Sequence, residues 1–395
     1  MTPNARYAAA IDVLGIVLNG EPAEKILTNW ARSNRYAGSK DRAAVRDIVF
    51  DCLRRKRSMM HLAGFDCARG LVAGHIIDAG QAVEDVFTGE RFAPDTLSEN
   101  DRENLKRAKK NPPDAVRLDV PDWIELELRA SLGGGLEASL IALQSRAPLD
   151  LRVNRKKAEL AQVQAALLSD NIETDVIESV PNALRVTSNP RRVALSAAYQ
   201  SGLVEIQDAG SQCIIDTLPL EGVKSVLDYC AGGGGKTLAL ADIMDNSVRF
   251  EAYDHNKKRM NDLPARAKRA GVLVEILQDD PASVAKTYDL VLLDVPCSGT
   301  GAWRRNPDGK WRFTNTDLQG LLSVQAAILK KAHKLVATDG VLAYVTCSLL
   351  RQENEDQVAA FLAVHNYWAS IKSKRFRPCD GTDGFFVTLF KRTQS

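Results

Sequence analysis

The amino-acid sequence predicts a doubly wound α/β domain that follows a helical domain and a small α+β module. From residue 223 onward, strand-like apolar runs alternate with helix-like segments, which is typical of a parallel sheet covered by helices on both faces. Between residues 5 and 63, apolar side chains recur at helical spacing without strand-like alternation. Residues 120–205 combine both patterns. We therefore expect three domains, at residues 1–115, 116–203 and 204–395.

The boundaries of the later elements follow from breakers and apolar runs. In the middle module we expect a helix over residues 123–132 that ends at three glycines, strands over 149–153 and 184–186, and a helix over 158–168. In the α/β domain the strands should end at Asp228, at Asp254, near Leu277, at Asp294 and at Thr346. The intervening helices should begin near Lys236, Lys257, Leu318 and Glu353. Because parallel strands end at one edge of a sheet, side chains at these ends should share a crevice.

Composition narrows the class of protein. A chain of 395 residues is long enough for two or three domains with their own cores. Its net charge of +2 excludes a polycation and an acidic tail, so binding of nucleic acid would need local basic clusters. Three such clusters occur, and each of the first two can equally be a solvated helix face. They comprise Lys40, Arg42, Arg46, Arg54, Arg55, Lys56 and Arg57, then Lys106, Arg107, Lys109 and Lys110, and finally Arg304, Arg305, Lys310 and Arg312.

Cysteine usage and the N-terminus indicate the compartment. The seven cysteines are odd in number and include no CxxC pair, which favours neither a disulfide framework nor a zinc site. Free thiols indicate a reducing compartment. We see no basic segment followed by an apolar core at the N-terminus and no apolar run long enough to span a membrane. We expect a cytoplasmic monomer without a bound metal.

A glycine-rich turn follows the strand that ends at Asp228. It reads Cys230-Ala231-Gly232-Gly233-Gly234-Gly235-Lys236-Thr237 and opens a helix. One interpretation is a phosphate-binding P-loop, because the last three residues match its end, but that motif requires glycine where Cys230 stands. The other is an S-adenosylmethionine site, in which the turn from Cys230 to Lys236 lies against the cofactor and Asp254 accepts the ribose hydroxyls. Asp279 or Asp280, at the end of the third strand, could then bind the adenine amino group, and Asp294 would complete the site.

Two cysteines follow predicted strands in similar settings. Cys297 stands three residues after Asp294, in the sequence VPCSGTG, and Cys347 stands in TCS after the apolar run 341–345. Their positions place both thiols and Asp294 at the crevice, which suggests covalent catalysis. For a lone cysteine the usual role is that of a small buried hydrophobe, and we assign it to Cys52, Cys67, Cys213 and Cys379.

The segment WRRNPDGKWR, residues 303–312, follows the first cysteine. Trp303 and Trp311 could stack on bases while Arg304, Arg305 and Lys310 hold phosphates. Packing of one tryptophan in the core is an equal alternative.

Together these motifs resemble the Sun/Nop family of RNA cytosine-5 methyltransferases, and within it the bacterial type B enzymes of 16S rRNA. The matching segments are VEIQDAGSQ, LDYCAGGGGKT, LLDVPCSGTG, RRNPDGKW, YVTCSLLRQENEDQV and DGTDGFF, in order over residues 204–386. Upstream, GSKDRAAVRDIVFDCLRR resembles the NusB-like helical RNA-binding domain of the ribosomal subgroup, and PLDLRVN resembles the family's small RNA-binding module. Two departures occur, since the family usually has CAAPGGKT and DAPC where this chain has CAGGGGKT and DVPC.

The resemblance implies methylation of carbon 5 of a cytosine in RNA, with S-adenosylmethionine as cofactor and 16S rRNA preferred over tRNA. In this family the Thr-Cys thiol attacks carbon 6 and the Pro-Cys thiol assists release, which assigns attack to Cys347 and release to Cys297. Asp294 would bind or protonate ring nitrogen 3. DNA cytosine methyltransferases use a Pro-Cys thiol and would instead nominate Cys297. An alternative of another class is a nucleotide-hydrolysing, RNA-binding assembly factor that uses the Lys236 turn.

Overall fold

The computed structural model describes residues 1–108, 111–244, 247–284 and 286–393. Lys109 and Lys110 of the second basic cluster lie outside the described residues. The chain forms two compact units, one of residues 1–146 with 302–315 and the other of residues 147–301 with 316–395. Contacts thus group residues 116–146 with the N-terminal helices. The three-domain division stays a prediction.

The first unit is helical, as the apolar spacing predicts. Its N-terminal helices are α1 (Pro3–Val17), α2 (Ala23–Ser33), α3 (Ser39–Arg54), α4 (Lys56–Ala63), α5 (Ala68–Asp78), α6 (Glu99–Arg107), α7 (Asp114–Arg117), α8 (Asp122–Leu132) and α9 (Leu136–Leu143). Thr2 caps α1, and Ser98 caps α6 with a side-chain hydrogen bond to a backbone N–H. The core of α1, α3 and α5 includes Leu14, Val49 and Leu71, none of which is exposed. Burial of these apolar faces holds the helices together.

The segment 302–315 belongs to the helical unit and corrects our expectation of an RNA-binding loop. It contains the short helix Pro307–Arg312. Lys310 Nζ donates to the carbonyl of Arg54 at 2.9 Å, and Trp311 Nε1 donates to that of Leu53 at 2.6 Å. These carbonyls end α3, where no intrahelical donor is available and a cation is favoured.

Three of the five residues expected to hold bases and phosphates are therefore buried. Trp303, Arg304 and Lys310 are 4–5% exposed. Burial of Trp303 confirms the alternative that one tryptophan packs in the core, whereas the prediction that Arg304 and Lys310 hold phosphates is wrong. Burial also lowers the pKa of Lys310 to about 8. Arg305 is exposed, and Trp311 is half-buried against the helical core.

The first basic cluster is largely paired within the same unit. Arg46 pairs with Glu24, Arg55 with Asp78, Arg57 with Asp122, and Arg54 is buried beside Asp51. Ion pairs of this kind are common on the surface of helices that bind no nucleic acid. Lys40 and Arg42 are the members of the cluster that take less part in such pairs.

The second unit begins with a small antiparallel sheet. Its strands are β1 (Leu149–Val153), β2 (Thr174–Val176), β3 (Ala183–Val186) and β4 (Val204–Ile206), in the order β2-β3-β1-β4 across the described residues. The helices α10 (Leu160–Ser169) and α11 (Ala197–Gln200) accompany it. Leu151, Val163 and Leu167 form its core without exposure. The predicted strands at 149–153 and 184–186 and the helix at 158–168 are confirmed to within two residues.

A large mixed sheet forms the rest of this unit. Its strands are β5 (Ser225–Asp228), β6 (Arg249–Ala252), β7 (Glu275–Ile276), β8 (Tyr288–Asp294), β9 (Val336–Thr346), β10 (Trp368–Phe376) and β11 (Phe385–Arg392), in the order β10-β11-β9-β8-β5-β6-β7 within the described residues. Strands β5 to β9 pair in parallel, which confirms the doubly wound prediction. The antiparallel pair β10 and β11 was not predicted.

Helices cover both faces of the large sheet. They are α12 (Ala209–Asp216), α13 (Gly235–Ile243), α14 (Leu263–Ala270), α16 (Asn315–Ala332) and α17 (Glu355–Val364), with α15 being the helix Pro307–Arg312 described above. Along β8, Leu290 and Leu292 face the core that includes α13, whereas Val291 and Leu293 face the core that includes α16. Strands that are apolar on both sides are typical of parallel sheets. Because β5, β8 and β9 run parallel, their carboxyl ends lie at one edge of the sheet.

Candidate active site

The glycine turn at the end of β5 is a tight backbone turn. The N–H of Gly234 donates to the carbonyl of Ala231 at 2.8 Å. Gly232 and Gly234 have φ of 51° and 77°, in the left-handed region that favours glycine. A Cβ atom on Gly234 would lie 2.2 Å from the Leu263 side chain. Glycine is therefore required at position 234 for both conformation and space.

Asp228 lies beneath this turn and was not singled out by the sequence. Its side chain is 1% exposed, and the hydroxyl of Thr237 donates to Oδ2 at 2.7 Å. Burial raises the pKa of Asp228 to about 7. A backbone hydrogen bond from Cys230 partly offsets this rise. Asp228 is therefore a buried carboxyl that ties the end of β5 to the start of α13.

Asp254 and Asp280 lie at the next two strand ends, as expected. Asp254 accepts hydrogen bonds from the N–H of Gly232 at 2.9 Å and of Asn256 at 2.8 Å. Asp280 accepts from the Tyr229 hydroxyl at 2.8 Å and from the N–H of Ala282 at 2.9 Å. Asp254 is therefore fixed against the turn, and Asp280 is fixed against the residue that precedes Cys230.

The other members of the predicted cofactor set differ in exposure. Asp279 is exposed, whereas Asp280 is only partly exposed. Cys230 is partly buried, and burial raises the pKa of its thiol well above the ordinary value. Because the thiol of Cys230 stays protonated and uncharged, we expect this residue to contact a neighbouring ligand through its backbone.

Lys236 and Asp294 form an ion pair beside the turn. Lys236 Nζ lies 2.7 Å from Asp294 Oδ2. The lysine side chain is 8% exposed and the aspartate side chain 35%. Burial alone would lower the pKa of Lys236, but the attraction of Asp294 outweighs it and the pKa is raised. The lysine of the supposed P-loop is thus held by an acid of its own chain, and Thr237 is held by Asp228.

The two catalytic candidates Cys297 and Cys347 are in contact. Their sulfur atoms lie 3.4 Å apart, and both are free thiols. The hydrogen bond to Cys347, burial and the negative charge of Glu353 raise the pKa of Cys297 well above its ordinary value. Either thiol can donate the hydrogen bond that joins the two sulfur atoms.

A buried carboxylate holds the loops that carry these thiols. Glu353 has no exposed surface, and its Oε1 accepts from the N–H of Ser298 at 2.8 Å and from Gln325 Nε2 at 3.0 Å. Its Oε2 accepts from the hydroxyls of Ser298 and Ser348. Each serine follows one of the two cysteines, so one carboxylate fixes both loops.

Sequence reasoning missed Glu353, although the motif in which it lies was recognised. A signal existed in the serine that follows each cysteine, since paired serines need acceptors when buried. Backbone bonds reinforce the same contact, because the N–H of Gly301 donates to the carbonyl of Cys347 at 3.0 Å and the N–H of Leu349 donates to the Thr300 hydroxyl at 2.7 Å.

The remaining cysteines differ from the single role assigned to them. Cys52 is fully buried and Cys213 partly buried, as expected of small hydrophobes. Cys67 and Cys379 are exposed, so that prediction is wrong for these two. Cys67 lies at the N-terminus of α5, where its sulfur accepts from the N–H of Gly70 at 3.5 Å. Its exposure follows from this capping position.

Neither a metal site nor a membrane-spanning helix occurs among the described residues. Over the described ranges, no cluster of three or more histidine, cysteine or acidic residues could hold a metal ion. Along the same part of the chain, no helix has both the length and the apolar character that a membrane crossing needs.

Comparison with known proteins identifies the family. A family model described as 16S rRNA methyltransferase RsmB/F matches residues 216–390, and one described as an RsmF/B-like, ferredoxin-like domain matches residues 120–193. A probable ribosomal RNA small subunit methyltransferase B of Synechocystis is 32% identical, over 69% of this chain and 66% of its own. A ribosomal RNA small subunit methyltransferase B of Xanthomonas campestris is 31% identical, over 72% of this chain and 70% of its own.

A solved structure shares the fold. A methyltransferase homologue protein from Pyrococcus horikoshii has a TM-score of 0.60 and 23% identity, covering 71% of this chain and 97% of that one. The match to the Synechocystis relative spans just under two thirds of its length, at 66%. The resemblance in the motifs is confirmed, and the chain belongs to the RsmB/F family of 16S rRNA methyltransferases.

Proposed function

We propose that this protein transfers a methyl group from S-adenosylmethionine to carbon 5 of a cytosine in RNA, through a covalent cysteine adduct. The observation that carries the proposal is the contact of 3.4 Å between the sulfur atoms of Cys297 and Cys347. Asp294, at the end of the strand that leads to Cys297, is paired with Lys236 at 2.7 Å. Two thiols and an acid at one strand-end crevice suit a reaction in which a nucleophile, a release group and a proton donor reach one ring.

The residues present fit the cofactor. Gly234 has no room for a side chain, so the turn from Cys230 to Lys236 keeps an open backbone. Asp254 would accept the ribose hydroxyls and Asp280 the adenine amino group, since these acids follow successive strands. When bound, S-adenosylmethionine supplies an electrophilic methyl group on a sulfonium. Acids at successive strand ends suit a positively charged ligand of this kind.

The chain's own residues supply the activation. Carbon 5 of cytosine is a poor nucleophile, and addition of the Cys347 sulfur to carbon 6 makes it an enamine carbon. Asp294 would hydrogen-bond or protonate nitrogen 3, which favours that addition. After carbon 5 has been alkylated, a base takes its proton, and we assign this role to Cys297 as a thiolate, 3.4 Å from the Cys347 sulfur. The electron pair of that C–H bond re-forms the double bond between carbons 5 and 6, and the Cys347 sulfur leaves carbon 6 as a thiolate.

The family resemblance assigns attack to Cys347 and release to Cys297. The distance of 3.4 Å between their sulfur atoms supports this proposal, because both thiols can then reach the same ring.

The preferred substrate is 16S rRNA, because the similar proteins are named as methyltransferases of that RNA. We further propose that the helical unit is a NusB-like RNA-binding domain, that the small sheet also contacts RNA, and that the protein acts as a cytoplasmic monomer. A tRNA substrate is the alternative within the same chemistry. Nucleotide hydrolysis is disfavoured, because Lys236 and Thr237 are both engaged by acids of the chain.

The test is methyl transfer from labelled S-adenosylmethionine to purified RNA, followed by bisulfite sequencing. We expect label in unmethylated 16S rRNA at a single cytosine, and none when the target cytosine is replaced. Label found in tRNA alone would show that the substrate is tRNA and not 16S rRNA. Binding of ATP without binding of S-adenosylmethionine, measured by calorimetry, would overturn the proposed chemistry.

A further inference from the structure

The glycine turn departs from its family at Gly232 and Gly233, where alanine and proline are usual. A run of four glycines, from Gly232 to Gly235, has more freedom to lose on ordering than a turn that contains proline. An ordered turn in this chain therefore needs support from elsewhere. The structure supplies that support with two arginine side chains.

Arg266, on α14, occupies the space that a side chain at position 233 would need. A Cβ atom on Gly233 would lie 2.9 Å from Nη1 of Arg266. The same nitrogen donates a hydrogen bond to the carbonyl of Gly233. The guanidinium thus fills the volume beside the turn and binds its backbone. Arg259 has a weaker counterpart at Gly232, with Nη2 at 3.1 Å from the corresponding Cβ position.

Arg266 is itself held by the small sheet. Its Nε donates to Oε2 of Glu205 at 2.9 Å, and Glu205 lies on β4 with only 5% of its surface exposed. Two residues later in the chain, Gln207 Nε2 donates to the carbonyl of Gly235 at 3.1 Å. The segment that begins at β4 therefore reaches the turn twice, directly through Gln207 and indirectly through Glu205 and Arg266.

We propose that Arg266, held by Glu205, is a positioning residue that fixes the Gly232–Gly235 turn for cofactor binding, in the place where relatives use proline. Charged hydrogen bonds of a partly buried guanidinium are stronger than neutral ones, and a planar fork can hold two acceptors at once. The small sheet thereby becomes part of the cofactor site. The inference rests on the proposed function, because it takes S-adenosylmethionine as the ligand.

A double-mutant cycle at positions 233 and 266 tests this inference. Arg266→Ala removes the donor, and Gly233→Ala displaces the same guanidinium by its added Cβ. Each should weaken binding of S-adenosylmethionine by roughly fivefold to tenfold, the factor that one net hydrogen bond contributes. Because both changes break one contact, the double variant should bind within about twofold of either single variant. The KM for S-adenosylmethionine should rise while kcat changes little.

Arg269→Ala is the matched control. Arg269 lies on the same helix and also binds Glu205. Among the described residues, it makes no hydrogen bond to the glycine turn. This variant should bind S-adenosylmethionine as the wild type does. Thermal unfolding of all variants separates loss of folding from loss of positioning.

The outcomes distinguish the inference from the proposed function. A wild-type protein that does not bind S-adenosylmethionine would overturn both. A wild type that binds it, with Arg266→Ala unchanged or with additive losses in the double variant, would overturn only the role of Arg266. If Arg266→Ala fails to fold, Gly233→Ala still decides, because it keeps the Arg266 side chain and leaves the pair of Glu205 with Arg269 in place.

Discussion

The crevice has two halves, which differ in how their backbone is held. In the thiol half, buried side chains fix the backbone, whereas in the glycine half, long side chains from other segments of the chain hold a flexible backbone. The thiol half comprises the loops of Cys297 and Cys347 and the buried carboxylate of Glu353, which four donors surround. The glycine half comprises the turn 230–237 with Asp254 and the arginines of the following segment.

The difference indicates which half of the crevice in this chain can accommodate a change of sequence. The thiol half places two reacting atoms 3.4 Å apart, and small shifts there would separate them. The glycine half presents mainly backbone to a ligand, so a lost proline can be offset by a side chain that binds the same backbone. The departures Gly232 and Gly233 fall in this second half, and the changes below are expected to affect the two halves differently.

The largest effect is expected from Cys347→Ala, which removes the nucleophile. Methyl transfer to RNA should fall by at least about a thousandfold, because the whole covalent route is lost. Binding of S-adenosylmethionine should not change, since the glycine half is untouched. The control is Cys379→Ala, an exposed cysteine for which we expect full activity. If Cys347→Ala methylated RNA at the wild-type rate, Cys347 would not be the nucleophile.

A smaller loss is expected from Glu353→Gln, which turns one acceptor of the thiol half into a donor. The amide cannot accept from all four donors, so the two loops should shift, and kcat should fall about tenfold to a hundredfold. Binding of S-adenosylmethionine should stay within about twofold of the wild type. Glu355→Gln is the matched control, because Glu355 pairs with Arg375 at the start of α17. Equal losses of kcat and cofactor affinity would contradict a division of the crevice into two halves.

In the glycine half, Asp254→Ala should weaken binding of S-adenosylmethionine by about 1–3 kcal/mol, the cost of losing a charged acceptor for ligand hydroxyls. The ability of the Cys347 thiol to add to the cytosine in RNA should be the same as in the wild type. Asp262→Ala, an exposed acid nearby, serves as the control. Calorimetry measures both affinities, and an unchanged value in folded Asp254→Ala would remove this residue from the cofactor site.

The last expected effect, at Asp228, is on stability rather than on activity. Burial raises the pKa of this carboxyl to about 7, so between about pH 4 and pH 7 the folded state binds more protons than the unfolded state. The stabilisation is therefore complete at low pH and is lost as the pH rises to 7. Asp228→Asn should gain stability relative to the wild type by up to a few kcal/mol across that window. Thermal unfolding at pH 5 and pH 8 measures the change, and a pH-independent difference would contradict it.

Much of the fold and half of the site could be predicted from local sequence. Alternating apolar runs gave the parallel strands, and the rule that such strands end together placed Asp294, Cys297 and Cys347 in one crevice. Strand β11 was missed despite the apolar run at residues 385–390, because an antiparallel strand needs no crossover helix before it and therefore breaks the alternation of strands and helices.

What could not be predicted depends on distant partners. Lys310 has the composition of a phosphate-binding residue, and only the position of the α3 carboxyl end makes it a buried cap. Glu353 becomes central because Ser298 and Ser348, 50 residues apart, both turn toward it. Arg266 gains its role from a glycine 33 residues earlier. Side-chain direction across such separations is set by tertiary packing.

The division of labour between the two thiols is tested most directly by trapping the covalent RNA adduct. Cys297→Ala and Cys347→Ala are each incubated with unmethylated 16S rRNA and S-adenosylmethionine, then separated on a denaturing gel. We expect Cys297→Ala to accumulate a protein–RNA band that ribonuclease removes, because attack proceeds and release is blocked, while Cys347→Ala gives none. Adducts in Cys347→Ala and their absence in Cys297→Ala would make Cys297 the nucleophile and contradict the account.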